Sequence, residues 1–366
     1  MAPPAKPILA LTMGDAAGVG PEIIVNAWAD TNVHQQVRPV VVGHPEIMRQ
    51  AARLLNREVA VVEVESPASL GDYPAGPQVM PCIMACRDDV LDVPAGQIDA
   101  RAGEAAYQAV RCAAALALDG AVDGVVTAPL SKTALHAAGR HYPGHTELLA
   151  EICGVNEFAM MLYLSREHEA RSQHSYSPLP APRSPLPGLG VVHVTLHQAL
   201  RSVFADLTSE AIVAKCRLAD QVMRRLGLER PRLAVCALNP HAGEDGLFGD
   251  EERTLIAPAV QSSRAAGLDV SGPYPADTLM LRARDGEFDA VIAMYHDQGH
   301  IAVKLLGMHS AVNITLGLPI VRTSVAHGTA FDRAWQGTAR ADGMVAAVAT
   351  AAKLSLSRLP TVSPGG

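Results

Sequence analysis

Short apolar runs alternate with longer amphipathic stretches along most of the chain. The apolar runs have the length of buried strands and fall at 7–13, 38–43, 124–128, 160–164, 191–196, 232–238, 290–295 and 311–317. The clearest stretches with helical spacing fall at 22–30, 45–55, 103–120 and 209–227. This alternation predicts an α/β protein with a largely parallel sheet. Such sheets place their chemistry at the carboxyl ends of the strands.

One segment interrupts this pattern. Residues 165–188 are Pro-rich, carry charges of both signs and show no apolar period. A segment of this composition cannot bury enough apolar surface to form a packed element. We expect a mobile loop there.

Composition and charge narrow the class of protein. The chain has 366 residues, of which 49% are hydrophobic and 18% charged, and no apolar run approaches the about 18 residues of a membrane span. Its N-terminal region lacks the long apolar stretch of a signal peptide, so we expect a cytoplasmic protein. A net charge of −7 without a basic block argues against nucleic acid as the partner. The six cysteines lack the spacing of a zinc site and are interpreted as free thiols.

Three histidines follow predicted strands directly or within a few residues. His197 follows VVHVTL, His241 lies in LNPHAGE, and His296 follows AVIAMY. Neutral imidazoles bind zinc and similar divalent ions, and three protein ligands leave a position open for substrate. A single histidine of this kind more often only makes hydrogen bonds, but three at one edge of a sheet favour a metal site.

Two further stretches are typical of anion binding, although each also has a purely structural interpretation. In YPGHTELLAE, His145 and Thr146 lie where a helix is predicted to begin, and a helix N-terminus binds phosphate well. Lys304, Asn313 and Arg322 stand in otherwise apolar sequence, where a cation serves a phosphate or carboxylate or pairs with an acid.

Three other motifs are weaker. MGDAAGVGPE is a strand–turn–helix stretch but not a full nucleotide fingerprint. Lys132 in TAPLSKTAL follows a strand, where most lysines are simply exposed. The stretch from His327 to Ala330 is a turn ahead of a predicted helix, suited to backbone contacts with a nucleotide but also common as a connector.

In combination, these motifs resemble those of the 4-hydroxythreonine-4-phosphate dehydrogenase (PdxA) family. The matching stretches are MGDAAGVGPE, TAPLSKTALHAAGRHYPGHTELLA, LNPHAGEDGLFG, GPYPADTL, AMYHDQGH and VNITLGLPIVRTSVAHGTAFD. The resemblance implies a two-lobed α/β/α fold like that of isocitrate and isopropylmalate dehydrogenases. It places one catalytic unit at 7–357, with lobes at about 7–130 plus 306–357 and 131–305. It also implies a homodimer with its sites at the interface.

The resemblance assigns roles to particular residues. It implies metal ligands at His197, His241 and His296 for Zn, Co, Mn or Mg; substrate contacts at His145, Thr146, Lys304, Asn313 and Arg322; catalytic roles for Lys132 and Asp277; and NAD binding at Gly328, Thr329 and Ala330. Two departures from the family pattern concern the cofactor region. Ala326 replaces a carboxylate, and Trp335 stands where a small residue is usual.

The resemblance also implies the reaction. We expect NAD- and metal-dependent oxidation of the 3-hydroxyl of a 4-phosphorylated four-carbon acid, followed by decarboxylation. His300 in HDQGH favours D-threonate or D-erythronate 4-phosphate over 4-hydroxy-L-threonine 4-phosphate, the substrate in pyridoxal phosphate biosynthesis. Two alternatives are a phosphate acyltransferase on a related fold, which would need neither metal nor NAD, and a non-catalytic binding protein.

Overall fold

A computed structural model describes residues 6–165 and 188–357. Its strands are β1 (Ile8–Thr12), β2 (Arg38–Gly43), β3 (Ala60–Glu63), β4 (Val79–Met84), β5 (Gly124–Thr127), β6 (Ala159–Ser165), β7 (Gly188–His193), β8 (Leu233–Cys236), β9 (Val270–Tyr274), β10 (Ala290–Ala293), β11 (Ala311–Leu316) and β12 (Arg322–Val325). Its α-helices are α1 (Gly20–Trp28), α2 (Thr31–Gln36), α3 (Pro45–Leu54), α4 (Ala100–Leu118), α5 (Lys132–Ala137), α6 (His145–Ile152), α7 (Leu200–Asp206), α8 (Ser209–Arg225), α9 (Ala257–Ala265), α10 (Ala276–Arg284), α11 (His296–Gly307) and α12 (Asp342–Leu356). Short 3₁₀ turns lie at Pro67–Asp72 and Asp88–Asp92, a turn with left-handed backbone lies at Pro240–Gly246, and a π turn lies at Glu252–Ile256.

The chain divides into two compact units. The first comprises residues 1–156 and 318–366, and the second comprises residues 157–317. These boundaries differ from the expected lobes because α5 and α6 both contact α4 of the first unit, whereas β11 pairs with β6 of the second. That the units act as two lobes of one catalytic entity stays a prediction.

The first unit contains strands in the order β3-β4-β2-β1-β5-β12. Each neighbouring pair in this series is parallel. Its strands β1, β2, β5 and β12 are buried almost throughout, which is typical of parallel strands covered by helices on both faces. The parallel arrangement brings the carboxyl ends of β1 and β5 together.

The second unit contains strands in the order β11-β6-β7-β10-β8-β9. The pairs from β7 to β9 are parallel, whereas β6 pairs antiparallel with both β11 and β7. Ser165 pairs with Gly188 at the open end of the β6–β7 hairpin. The predicted mobile loop at 165–188 otherwise falls on residues 166–187, which lie outside the described residues.

One predicted strand is displaced. The run at 191–196 was expected to lead directly into His197, but β7 spans Gly188–His193 and ends four residues before it. Beyond the strand end, Val194 N still donates to Ala293 O and Thr195 N to Met294 O. His197 therefore lies in the connection to α7, and His193 occupies the end of the strand.

Two other expectations concern thiols and membranes. All six cysteines are free, and three of them, Cys82, Cys216 and Cys236, are buried. Burial raises the pKa of Cys236 to about 12, as expected for an unreactive thiol. No helix in the described part of the chain combines the length and apolar character needed to cross a bilayer.

Candidate functional site

Arg322 is a fully buried cation at the start of β12. Only 1% of its surface is exposed, and Nη2 donates to Thr127 Oγ1 at 2.7 Å. Strand pairing explains this contact: Arg322 lies opposite Val125, so its long side chain reaches the end of β5, where Thr127 stands. Burial lowers the pKa of Arg322 to about 9, and the charge of Glu147 opposes that shift. A buried cation of this kind favours nearby negative charge, and the Glu147 carboxylate supplies some of it.

His145 and Thr146 begin helix α6, as predicted from the sequence. The N-cap, Gly144, has no side chain to cap the backbone N–H groups of the first turn. The Nε2 atom of His145 is buried and has no hydrogen-bond partner within the described part of the chain. Burial lowers the pKa of His145 well below its usual value, and the charges of Arg322 and Lys132 lower it further. The ring is therefore neutral, and an Nε2–H tautomer could donate to an anion.

Lys132 and Glu147 complete this group in the first unit. A Cβ atom at Gly144 would lie 3.3 Å from Glu147 Oε2 and 3.8 Å from Lys132 Cε, which shows how closely both side chains approach the helix start. Lys132 is exposed. We call Thr127, Lys132, His145, Thr146, Glu147 and Arg322 the Arg322 cluster. It combines two cations, a neutral imidazole, the Glu147 carboxylate and a helix N-terminus without a side-chain cap; all of these except the carboxylate are usual components of a phosphate site.

Asp15 is a buried carboxyl group near the same carboxyl edge of the first unit. It follows β1, its backbone N–H donates to Pro129 O, and its Oδ1 accepts a hydrogen bond from Ala17 N at 2.9 Å. Its Oδ2 is buried and has no hydrogen-bond partner among the described residues. Burial raises the pKa of Asp15 to about 6, against smaller opposing effects of backbone hydrogen bonds.

The predicted cofactor residues form a loop after β12, which we call the cofactor loop (residues 327–330). Thr329 O accepts from Val19 N at 3.0 Å, and a Cβ at Gly18 would lie 3.0 Å from Thr329. A Cβ at Gly328 would meet no atom within 4 Å, so that side of the backbone is open. An anchored loop with one open backbone face fits a nucleotide bound through main-chain contacts.

In the second unit, three histidine rings contact one another in a row: His296 stacks on His300, and His300 is hydrogen-bonded to His193. His296, the first residue of α11, lies parallel to His300 with ring centroids 3.7 Å apart. His300 Nδ1 shares a 3.1 Å hydrogen bond with Nε2 of His193, which is completely buried. Gly299 leaves room for this pair, because a Cβ there would lie 2.5 Å from His193 Nε2. Burial lowers the pKa of His193 to about 3 and that of His300 to about 4, so both rings are neutral.

His197 lies beside this series, with its ring centroid 5.6 Å from that of His296. Nδ1 of His296 is 2.7 Å from Asp297 Oδ1, a carboxylate contact that leaves Nε2 of the ring available as a ligand. A cavity of about 540 Å³ is lined by both His197 and His296, together with Tyr295 and residues of α7. We call His193, His197, His296 and His300 the histidine cluster.

The third predicted metal ligand, His241, is not part of this cluster. It is exposed and contacts Phe248, with ring centroids 6.2 Å apart. The backbone from His241 to Asp245 is left-handed, with φ between 44° and 81°, a strained conformation for residues other than glycine. Within residues 6–165 and 188–357, no group of three His, Cys, Asp or Glu side chains is arranged to hold a metal. The donor chemistry fits a divalent metal, but one chain does not assemble the predicted three ligands.

Three more predicted residues lie in the second unit. Asn313 on β11 has a buried Oδ1 without a partner among the described residues, whereas Lys304 on α11 is exposed and its charge contributes to the lowered pKa of His300. Asp277 is exposed in the first turn of α10. The predicted substrate residues are therefore divided between the units, with His145, Thr146 and Arg322 in the first.

Sequence reasoning missed several polar residues in and near these clusters. Thr127 stood at the end of a predicted strand, and Asp15 lay inside a quoted glycine motif, so position alone could have identified both. His193 gave no such signal, because it lay in the middle of the predicted strand at 191–196. Only the true end of β7 places its ring against His300.

Comparisons with known proteins match nearly the whole chain. The family described as pyridoxal phosphate biosynthetic protein PdxA matches residues 35–351. A D-threonate 4-phosphate dehydrogenase from Pectobacterium atrosepticum is 42% identical over 352 residues, covering 95% of this chain and 99% of the relative. A 4-hydroxythreonine-4-phosphate dehydrogenase from Trichlorobacter lovleyi is 43% identical over 356 residues, covering 96% and 99%.

A solved structure agrees with the sequence relatives. The crystal structure of 4-hydroxythreonine-4-phosphate dehydrogenase from Klebsiella pneumoniae is 40% identical, covers 96% of this chain and 100% of its own, and superposes with a TM-score of 0.80. These findings confirm the predicted α/β fold class and the predicted oxidoreductase class. The chain belongs to the PdxA family.

Proposed function

We propose that the chain is an NAD- and divalent-metal-dependent dehydrogenase acting on a 4-phosphorylated four-carbon hydroxy acid. The 3-hydroxyl is oxidised and the resulting β-keto acid loses carbon dioxide. The names of the relatives, which are dehydrogenases of such phosphorylated acids, support this reaction over a phosphate acyltransferase. Bound metal would supply Lewis acidity to the substrate hydroxyl, and NAD would accept the hydride.

The observation that carries this proposal is the Arg322 cluster. Arg322 is buried yet remains a cation, and the buried Nε2 of His145 has no partner among the described residues. A phosphate at the start of α6 would accept from both side chains and from the uncapped backbone N–H groups. Thr127 holds the guanidinium in place, and Lys132 adds a second positive charge. Asn313 and Lys304 are proposed to bind the same substrate, and Lys132 and Asp277 to act in catalysis.

We infer that His197, His241 and His296 are the metal ligands, for Zn, Co, Mn or Mg. His197 and His296 lie side by side with the Asp297 carboxylate behind the second ring. A third donor has to come from outside this arrangement, and a second copy of the chain is the source that best fits the surface. Near the two rings, α7 exposes Leu200 and Phe204 at helical spacing, and α11 exposes Ile301 and Leu305 in the same way.

Exposed apolar pairs on two helices next to an incomplete ligand set support a homodimer that completes the site. Leu305 is 82% exposed and Leu200 61% exposed, which is unusual for large apolar side chains on a monomer. His241 is also exposed and stands beside the exposed Phe248. We propose that burial of these side chains between two copies brings His241 to the histidine pair.

D-Threonate or D-erythronate 4-phosphate is the favoured substrate, and 4-hydroxy-L-threonine 4-phosphate is the alternative. His300 supports this preference, because HDQGH resembles the sugar-acid branch of the family. The acids differ at one position, a 2-hydroxyl against a 2-amino group, which a few contacts can distinguish.

Formation of NADH with a panel of the three phosphorylated acids tests the proposal. We expect fastest turnover with D-threonate or D-erythronate 4-phosphate, and very slow turnover with the same acids lacking phosphate. Equal rates with and without the phosphate would contradict the assignment of the Arg322 cluster. Absence of NADH formation with all three acids in the presence of divalent metal would contradict the proposed reaction.

A further inference from the structure

Trp335 combines a strained backbone with well-formed hydrogen bonds. Its φ is 60°, in the left-handed region that a side chain bearing Cβ seldom adopts. Its backbone N–H donates to Glu22 Oε2 at 2.6 Å, and Gly337 N donates to the other oxygen of the same carboxylate at 2.8 Å. Glu22 is fully buried. The surrounding structure therefore fixes Trp335 in a conformation that the isolated residue would avoid.

The indole of Trp335 reaches the glycine loop, residues 14–20. Its Nε1 donates to Ala16 O at 2.8 Å. The glycine loop is itself closely fitted, because a Cβ at Gly14 would lie 2.4 Å from Pro129 O. Ala17, which is also in the glycine loop, accepts a hydrogen bond at its O atom from Gly96 N at 2.8 Å. The indole therefore binds a segment that has little freedom to move.

The glycine loop in turn holds the cofactor loop. Val19 N donates to Thr329 O. Glycine at position 18 allows Thr329 to approach closely, because a Cβ there would lie 3.0 Å from it. The segment from the cofactor loop to Trp335 is thus attached to the glycine loop at both ends, by Thr329 and by the indole. Loss of the indole would remove one of the contacts that hold the C-terminal end of this segment and would leave the backbone hydrogen bonds of Trp335 and Gly337 to Glu22.

We propose that Trp335 is a positioning residue for NAD: its indole braces the cofactor loop against the glycine loop in the conformation that binds the nucleotide. This inference rests on the proposed function, because it presumes that the cofactor loop binds NAD. The energy of the Nε1–Ala16 hydrogen bond offsets part of the strain at φ 60°. Trp335 does not take part in the chemical step, so its loss should weaken cofactor binding without changing substrate or metal binding.

Two substitutions separate the parts played by the ring and by its N–H group. Trp335→Phe keeps an aromatic ring and removes the donor to Ala16 O, whereas Trp335→Gly removes the ring and relieves the backbone strain. We expect Kd for NAD, measured by calorimetry on the full-length metal-loaded protein, to rise about threefold to tenfold in Trp335→Phe. This is the change expected from loss of one neutral hydrogen bond. Trp335→Gly should bind NAD more weakly still, although its melting temperature should fall little or rise because the strain is relieved.

Tryptophan fluorescence gives an independent readout. The chain has two tryptophans, and Trp28 is 2% exposed whereas Trp335 is partly exposed. In a Trp28→Phe background all tryptophan emission comes from Trp335, and saturating NAD should shift or quench it. A purely structural role would instead lower the melting temperature and leave both NAD affinity and this emission unchanged.

The outcomes distinguish this inference from the proposed function. NAD affinity within about twofold of wild type in both Trp335 variants would overturn the inference, and so would an emission of Trp335 that saturating NAD leaves unchanged. In both cases the proposed function would stand. Failure of the wild-type protein to bind NAD at all would overturn both. Weaker NAD binding with an unchanged KM for the phosphorylated acid would support the inference.

Discussion

The two histidines that begin helices α6 and α11 share a local geometry but have different neighbours. His145 and His296 are each the first helical residue, and neither helix has a side-chain N-cap. Around His145 the nearby charged groups include Arg322 and Lys132, which help keep the ring neutral. Around His296 the neighbours are other imidazoles and the exposed Asp297, and a third of its own side chain is accessible.

This difference shows that the chemical role of a histidine depends more on the groups around it than on its position at a helix start. The Arg322 cluster has Arg322, Thr127 and Thr146 buried in the first unit, with Lys132 exposed, and offers hydrogen-bond donors to an anion. In the histidine cluster, His197 and His296 offer lone pairs at an accessible surface of the second unit. The first therefore suits a phosphate, and the second suits part of a metal site that needs a further ligand.

Metal removal should have the largest effect and tests whether the histidine cluster is part of a metal site. We expect a chelator to abolish turnover and added divalent metal to restore it. His296→Ala, His197→Ala and His241→Ala should each lose bound metal, measured by elemental analysis of the purified protein. His145→Ala is the matched control, since it removes a histidine from the same helical position and should retain metal. Normal metal content in any of the first three variants would exclude that residue as a ligand.

Arg322→Ala should have the next largest effect and tests whether the Arg322 cluster binds a phosphate. Charge-assisted hydrogen bonds to a phosphate are worth roughly 1.5–3 kcal/mol each, and remote binding energy also positions the reacting group. We expect kcat/KM for the phosphorylated acid to fall at least about a hundredfold, which corresponds to roughly 2.7 kcal/mol. Affinity for NAD and metal content should change much less.

Arg340→Ala provides the matched control for Arg322. Arg340 is an arginine of the same unit that is exposed and paired with Asp342 at 3.0 Å. Its loss should leave kcat/KM nearly unchanged. Circular dichroism should show that Arg322→Ala remains folded. A folded Arg322→Ala protein with wild-type kcat/KM would refute the phosphate assignment.

Apolar periodicity predicted most of the fold, because buried parallel strands have a simple sequence pattern. The strands missed were β3, β4, β9 and β12. β3 and β9 are short and partly exposed, so they lack a continuous apolar run. β12 reads Arg-Thr-Ser-Val and is nevertheless entirely buried. Its polar residues break the apolar run that would indicate a strand, although Arg322 and Ser324 lie inside the protein.

The sites could be predicted only in part. Their positions in the sequence pointed to the histidines and Arg322, and the family resemblance assigned their roles, but no sequence pattern could show that His193 bonds His300 or that Trp335 bonds Ala16. Such contacts join residues more than a hundred positions apart, and they depend on strand ends and loop conformations that periodicity does not determine. The left-handed backbone at His241 likewise has no apolar pattern to reveal it.

Asp15 provides a pH test of how strongly the first unit excludes water. Its raised pKa means that the folded state binds a proton more tightly than the unfolded state. Stability from this group is therefore lost as pH rises from the unfolded value of 3.8 through about 6. At neutral pH the cost should be about 2 kcal/mol, at about 1.4 kcal/mol per pKa unit and with allowance for relaxation around the charge.

Asp15→Asn removes this titration and can keep the acceptor for Ala17 N. We expect the variant to match wild type near pH 4 and to become progressively more stable than wild type up to about pH 6, with a constant difference above that. Urea unfolding at several pH values measures this difference. A difference that does not vary with pH would show that Asp15 is solvated.

Thr127→Val should have the smallest effect and shows whether the Arg322 cluster depends on the orientation of its guanidinium as well as on its charge. Valine has nearly the shape of threonine but cannot accept the 2.7 Å hydrogen bond from Arg322 Nη2. Arg322 would keep its charge and its burial but lose one contact that fixes its position. Loss of one hydrogen bond from a charged donor costs about 1.5 kcal/mol at the low end of its range, so kcat/KM for the phosphorylated acid should fall about tenfold. Thr127→Ser retains the hydroxyl and should recover most of that loss, which separates the hydrogen bond from packing. The unphosphorylated acid, whose binding cannot use the guanidinium, should be turned over at the same low rate by all three proteins. If Thr127→Val lowers activity toward both acids equally, Thr127 acts on the general structure of the first unit and does not orient Arg322 toward a phosphate.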